Sequence, residues 1–282
     1  MINKSHVTLK SLLVKTFIAG LISLSACSPA VSTISETNAA TTSAPAAEAV
    51  ATAPQEAPVN ESTDPTSKVS LNTGNLASSL QIETVPAVVG SDAPFWQLLP
   101  EHTRITLPGY PISSHQMAPV IYVFPVEELQ KINEGTRPVV ASLQTLLASP
   151  QEIPNLPFLP LVNTSQVMHT HLQYQDFKNG QGLRYLTMFA QGIMPINNSE
   201  LVYTYQGLTR DGKYYVSAVL PVTHPSLPAD GSITGNEPPE FNSDFSAYVQ
   251  NTASALNAQA ANTFTPDLAQ LDAMLSSLEI NQ

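Results

Sequence analysis

The chain has 282 residues, 22 acidic against 11 basic, for a net charge of −11, and a single cysteine. That balance excludes a nucleic-acid surface, which needs a concentrated Lys/Arg patch, and a lone thiol excludes an internal disulfide. Up to Pro86 there are too few large apolar residues to build a core once the first apolar run is set aside, so residues 86–282 are expected to form one domain.

Residues 1–26 have the form of an export signal. Lys4, Lys10 and Lys15 make a basic start with no acidic residue, Phe17 to Leu24 is an apolar run too short for a permanent membrane span, and Ser25 and Ala26 precede Cys27. Leu24-Ser25-Ala26-Cys27 resembles the lipobox of bacterial lipoproteins. The resemblance implies a diacylglyceryl group on Cys27, which becomes the acylated N-terminus after cleavage. The competing reading is an ordinary signal peptide with a cysteine near its cut. Lipid attachment explains both the presence and the position of the only cysteine, and buried acyl chains contribute about 0.8 kcal/mol per CH₂ to anchoring. Ser28 stands where Asp marks inner-membrane retention in such lipoproteins, so the same resemblance favours an outer-membrane destination where the cell has one. No cofactor is expected beyond this lipid.

Residues 27–85 are expected to be the lipidated cysteine and a disordered tether. From Ser28 to about Ser79 the chain is dominated by Ala, Thr, Ser, Pro, Glu and Asn, a composition that cannot offset the entropy of ordering. Some fifty such residues hold a domain roughly 40 Å from a membrane. Removal of the signal leaves 11 − 3 = 8 basic residues against 22 acidic ones, a net −14. A body so charged is repelled by anionic lipids, so its expected membrane contact is the lipid anchor.

Between Gln81 and Gln116 prolines leave room only for short extended pieces such as Thr103 to Leu107. Pro119 to Phe124 has the character of a strand, and VEELQKIN after Pro125 that of a helix with Glu127 and Glu128 in its first turn. A second helix is expected over Pro138 to Leu147, followed by the proline-rich IPNLPFLPLVN. Val167 to Pro225 carries four runs rich in Tyr, Val, Leu, Thr and Phe, the pattern of antiparallel hairpins. Alternation puts Met168, Thr170, Leu172 and Tyr174 on one face and His169, His171, Gln173 and Gln175 on the other. A turn through Lys178 to Gly182 sets Leu172 beside Met188 and Tyr174 beside Leu186, and a second turn falls at Arg210-Asp211-Gly212. Leu201 to Gln206 and Lys213 to Val222 are apolar on both parities, which requires cover on both faces. Ser243 or Asn242 is expected to cap a helix carrying Phe245, Tyr248, Val249 and Leu256. Thr265-Pro266-Asp267 is expected to start another, with Leu268, Leu271, Met274, Leu275 and Leu278 on one side. The expected fold is α+β: an antiparallel sheet of five or six strands with helices on one or both faces.

The segment GLRYLTMFAQGIMPINNSELVYTYQGLTRDGKYYVSAVLPV resembles one found in uncharacterised bacterial lipoproteins that share a signal, a linker and a tyrosine-rich meander. That resemblance supplies no catalytic residues. The order of strands and helices is also similar to that of PsbP-like and Mog1-like sandwiches, a likeness of fold alone.

Candidate chemistry is sparse. His169 and His171, placed on one face about 7 Å apart, are candidate zinc or copper ligands if a third arrives from elsewhere. Their polar parity explains them without metal. No HExxH, DxDxDG or GxSxG motif is present. Tyr203, Tyr205, Tyr214 and Tyr215 are candidates for a recognition surface, against the commoner case of buried strand tyrosines. Arg184 and Asp176 are expected to form a surface ion pair worth under about 1 kcal/mol. The function expected is that of a lipid-anchored module in the cell envelope, facing the periplasm or the exterior, that binds a protein, peptide or glycan through one sheet face or the proline-rich loops without catalysis. One alternative is an envelope hydrolase or metal-dependent enzyme, which a cleft joining two of His102, His115, His169, His171 and His224 to a carboxylate favours. Another is a transporter's solute-binding lipoprotein, against which the lack of two repeated βαβ lobes argues.

Overall fold

Strands apolar on both parities need two covering layers, and the chain supplies them. A computed structural model describes residues 69–281, so the export signal, Cys27 and the tether up to residue 68 lie outside the described residues. The elements are β1 (Val69–Ser70), β2 (Gln81–Val85), β3 (His102–Thr106), β4 (Val120–Pro125), α1 (Val126–Ile132), α2 (Thr136–Ala148), β5 (Ser165–Phe177), β6 (Gly180–Ala190), β7 (Val202–Thr209), β8 (Tyr214–Pro221), α3 (Pro239–Ser243), α4 (Phe245–Asn257), α5 (Leu268–Ser276) and β9 (Glu279–Ile280). A seven-stranded sheet runs β2-β3-β4-β8-β7-β6-β5 with every neighbouring pair antiparallel. The fold is α+β.

All eight residues of β7 are buried, and on β8 all but Tyr214. One face of the sheet, with Ile105, Ile121, Leu186, Tyr203, Val216 and Leu220, packs against Tyr248 and Leu256 of α4 and Leu268, Leu271, Met274 and Leu275 of α5. The other face, with Phe124, Leu183, Tyr185, Leu208 and Tyr215, packs against Leu129 of α1 and Val140, Leu143 and Leu146 of α2. Residues spaced by three on α2 form the buried stripe that helical periodicity requires.

Two boundaries differ from expectation. Residues 69–85 are not tether. Val69, Leu71, Leu76 and Ala77 are buried in the larger cluster, β1 pairs with β9 at Val69↔Ile280, and β2 is the seventh strand of the sheet. The two C-terminal helices start one or two residues later than expected. Asp244, not Ser243 or Asn242, caps α4 by accepting from Ala247 N at 3.0 Å, and Asp267 caps α5 by accepting from Ala269 N at 2.9 Å, leaving Pro266 outside the helix.

The β5–β6 hairpin also differs. Its turn is the two residues Lys178-Asn179, with Phe177↔Gly180 the first pair, so Met188 faces Met168 and Leu186 faces Thr170 rather than Leu172 and Tyr174. Gly180 and Gly182 are spent on close packing instead of the turn. A Cβ on Gly182 would lie 2.5 Å from the Tyr205 ring and 2.6 Å from Gln206 O, and one on Gly180 would run into the Phe177 ring. The register of β5 then shifts between Thr170 and Gln173, at a bulge where His171 adopts φ 54°.

Candidate functional site

The bulge decides the histidine pair. Beyond it Leu172 and Tyr174 join the α1/α2 side, while His171 turns to the α4/α5 side. The His171 ring stands edge-on to Phe264 with centroids 5.1 Å apart, and its Nε2 lies 2.8 Å from Leu256 O. The His169 ring lies 6.5 Å from that of Tyr185 on the opposite side. The two imidazoles therefore do not share a face, contrary to simple alternation. Both border an open polar cleft with Glu152 and Asn257, but their rings pack on different partners, Tyr185 for one and Phe264 for the other. Among the described residues no three His, Cys, Asp or Glu side chains are grouped to hold a metal ion.

The tyrosines are core, not surface. Tyr203, Tyr205 and Tyr215 are wholly buried and Tyr214 packs partly buried against the larger cluster. Burial, with the Asp272 carboxylate, pushes the Tyr203 phenol well above its usual range. Arg184 is likewise internal. Its Nε lies 3.0 Å from Asp272 Oδ1, and its other nitrogens donate to His171 O, Gln173 Oε1 and Asp272 Oδ2. Asp176 pairs instead with Arg210 at 3.6 Å on the surface. The expected Arg184–Asp176 pair is thus replaced by a clamp from β6 to α5.

What the sequence did not point to is a groove on the α1/α2 side. Those two helices cover Phe124 of β4 together with β6, β7 and β8, and leave the face uncovered at the Arg104–Thr106 end of β3 and the Val120–Tyr122 end of β4. Alternation on β3 turns Ile105 inward to the larger cluster and leaves Arg104 and Thr106 on the open face, beside Val120 and Tyr122 of β4 and Val219 of β8. The loop after α2 forms the facing wall with Phe158, Pro160 and Val162, and Met117 and Ala118 close one side. The groove is open to solvent along one side and has a volume of about 320 Å³.

The wall is fixed by a buried polar cluster. Gln206 Oε1 accepts from Leu159 N at 3.0 Å and from the Tyr215 hydroxyl at 2.7 Å, while its amide donates to Thr204 and Ser217 hydroxyls at 2.8 and 3.0 Å. Ser217 donates to Leu159 O, and the Tyr185 hydroxyl donates to Pro157 O at 2.8 Å. Each member of this cluster has a partner from the loop or the sheet, so Phe158 and Pro160 are held before any ligand arrives. A stacked pair, Tyr122 and Phe124 with centroids 5.5 Å apart, continues the floor toward His102.

Among the described residues Arg104 is the only charged one lining the groove. Its Nε donates to Glu83 Oε1 at 2.7 Å, which holds the carboxyl below its usual value and the guanidinium above its own. Burial raises the Tyr122 phenol, and Arg104 opposes that rise. Among the described residues its lining is apolar area with a polar end, the character of a small-molecule site. The signal that would have found it is the pairing of HTRIT with PVIYVF. A strand with one apolar parity and one mixed parity has a face that no helix covers.

No protein-family model matches this chain, and neither a curated protein nor a solved structure matches it significantly.

Proposed function

We propose that this is a bacterial envelope lipoprotein, anchored through acyl chains on Cys27, whose folded body binds an apolar ligand in the groove between β3, β4 and the Phe158–Val162 loop without transforming it. The observation that carries the reading is the groove itself: a preformed, mainly apolar space of about 320 Å³ with a single cationic end and no catalytic pair in its lining. It joins the two features from which binding is expected in the sequence, a sheet face and a proline-rich loop. Under this reading the chain is one of the lipoproteins that the Gly182–Val222 segment resembles, its body facing the periplasm or the cell exterior. The hydrolase alternative draws on the Glu152–His169–His171 cleft, and the divergence of those two rings counts against it.

Two measurements test the proposal. Intact mass of the membrane-bound protein is expected to show acylation at Cys27, and Cys27→Ala to move the protein to the soluble fraction; a free thiol in the membrane fraction refutes the anchor. Native mass spectrometry of protein taken from its own envelope is expected to show a retained small molecule that Ala118→Trp, which fills the groove, removes. A bound mass unchanged by Ala118→Trp refutes the groove.

A further inference from the structure

Resting on the groove as the binding site, we propose that its ligand is a single unbranched acyl chain ending in a carboxylate, with the chain on the apolar floor and the carboxylate on Arg104. The floor and walls set the chain. Val120, Val219, Phe158, Pro160 and Val162 offer aliphatic and aromatic carbon with no charged group among them. A volume near the lower end of small-molecule sites suits one chain rather than two.

Arg104 sets the head. Every Lys and Arg among the described residues lies within 3.6 Å of a carboxylate, so the acidic body leaves few places where an anion is welcome. Arg104 differs from the others in facing an apolar groove, and its pair with Glu83 uses only Nε. Among the described residues its two Nη atoms donate to no protein acceptor, and neither does the Tyr122 hydroxyl. A guanidinium and a phenol, paired across β3 and β4 and both lining an apolar slot, match a carboxylate, which accepts two parallel N–H bonds. An extended peptide fits less well. Its backbone needs partners along its length, and the remaining polar lining residue, Thr106, already donates to Gln81 Oε1 at 3.3 Å.

The sign of the charge makes the proposal testable. The full chain carrying Cys27→Ala, so that no attached lipid competes, is titrated calorimetrically with sodium decanoate, 1-decanol and decyltrimethylammonium, each below its aggregation concentration. Decanoate is expected to bind once per chain and decyltrimethylammonium not at all. Arg104→Gln is expected to weaken decanoate about tenfold, the worth of one charge-assisted contact at a half-exposed site. Glu83→Gln removes the competing carboxylate and is expected to tighten decanoate severalfold while leaving decanol unchanged. Arg104 is half-buried and Glu83 exposed, and circular dichroism melts verify that the variants fold. Equal affinity for decanoate and decanol, or a decanoate affinity that neither charge variant moves, overturns the carboxylate head. If decanoate fails while a proline-rich apolar peptide binds and Ala118→Trp abolishes it, the acyl ligand is refuted and the groove function stands. If neither binds, both fall.

Discussion

The clamp between Arg184 and Asp272 gives the sharpest test of how the two layers are held. Asp272→Ala removes the carboxylate that contacts Arg184 at 3.0 and 3.1 Å and accepts the Tyr203 hydroxyl at 2.9 Å. The Arg184 side chain is 8% exposed and that of Asp272 22%, so the guanidinium would remain inside the protein with only His171 O and Gln173 Oε1 as acceptors. Breaking a buried pair from one side costs roughly 3–5 kcal/mol. Water reaching the vacated Asp272 position relieves part of this, and alanine's helix propensity returns a few tenths, so the expected cost is about 3 kcal/mol. For a domain of this size that is a fall in Tm of about 6–12 °C. Asp176→Ala in the same melts is expected to cost under about 1 kcal/mol, since its pair with Arg210 is exposed on both sides. The double variant Arg184→Met, Asp272→Leu is expected to recover most of the loss, because apolar replacement of a buried pair is often neutral. An Asp272→Ala cost no larger than that of Asp176→Ala would refute the clamp.

Gly182→Ala is expected to lower stability by about 1–3 kcal/mol, because its Cβ would fall 2.5 Å from the buried Tyr205 ring and 2.6 Å from the Gln206 carbonyl, neither of which has room to give. Urea unfolding checks this, and an unchanged midpoint would show that the ring moves freely. His102, His115, His169, His171 and His224 all have pKa values lowered by burial, which disfavours the imidazolium. The unfolded chain therefore takes up protons first, from about pH 6.5 downward, so the full stability is present above that value and is lost as pH falls below it. Tm measured from pH 7.5 to 5 is expected to decline over that window, before the carboxylates titrate. A flat profile there would sink the argument.

What the sequence reveals and what it hides divide along the range of the interactions. The strands β7 and β8 declared themselves because Tyr, Val and Leu on both parities demand two covering layers, and α1, α2, α4 and α5 because proline, acidic caps and helical spacing are local signals. Val69 to Leu76 gave no such signal. Their burial depends on partners some two hundred residues away, as in Val69↔Ile280 and the bond from Asn72 N to the Ser277 hydroxyl, and a short stretch with few aromatic residues carries no trace of that. The His171 bulge is hidden for a different reason. Nothing in a histidine announces a positive φ, so strict alternation carried one imidazole to the wrong side. Asn179-Gly180 misled in the same region, because a glycine that frees a turn and a glycine that makes room for a ring are the same letter. The groove is the deepest of these cases. Each of its residues reads as ordinary strand or loop, and it exists only because two helices and a proline-rich loop, the loop pinned through Gln206 and Ser217, stop short of Arg104 and Thr106 on β3. A binding site made by where cover ends has no motif, and its chemistry becomes legible only once the layers are in place.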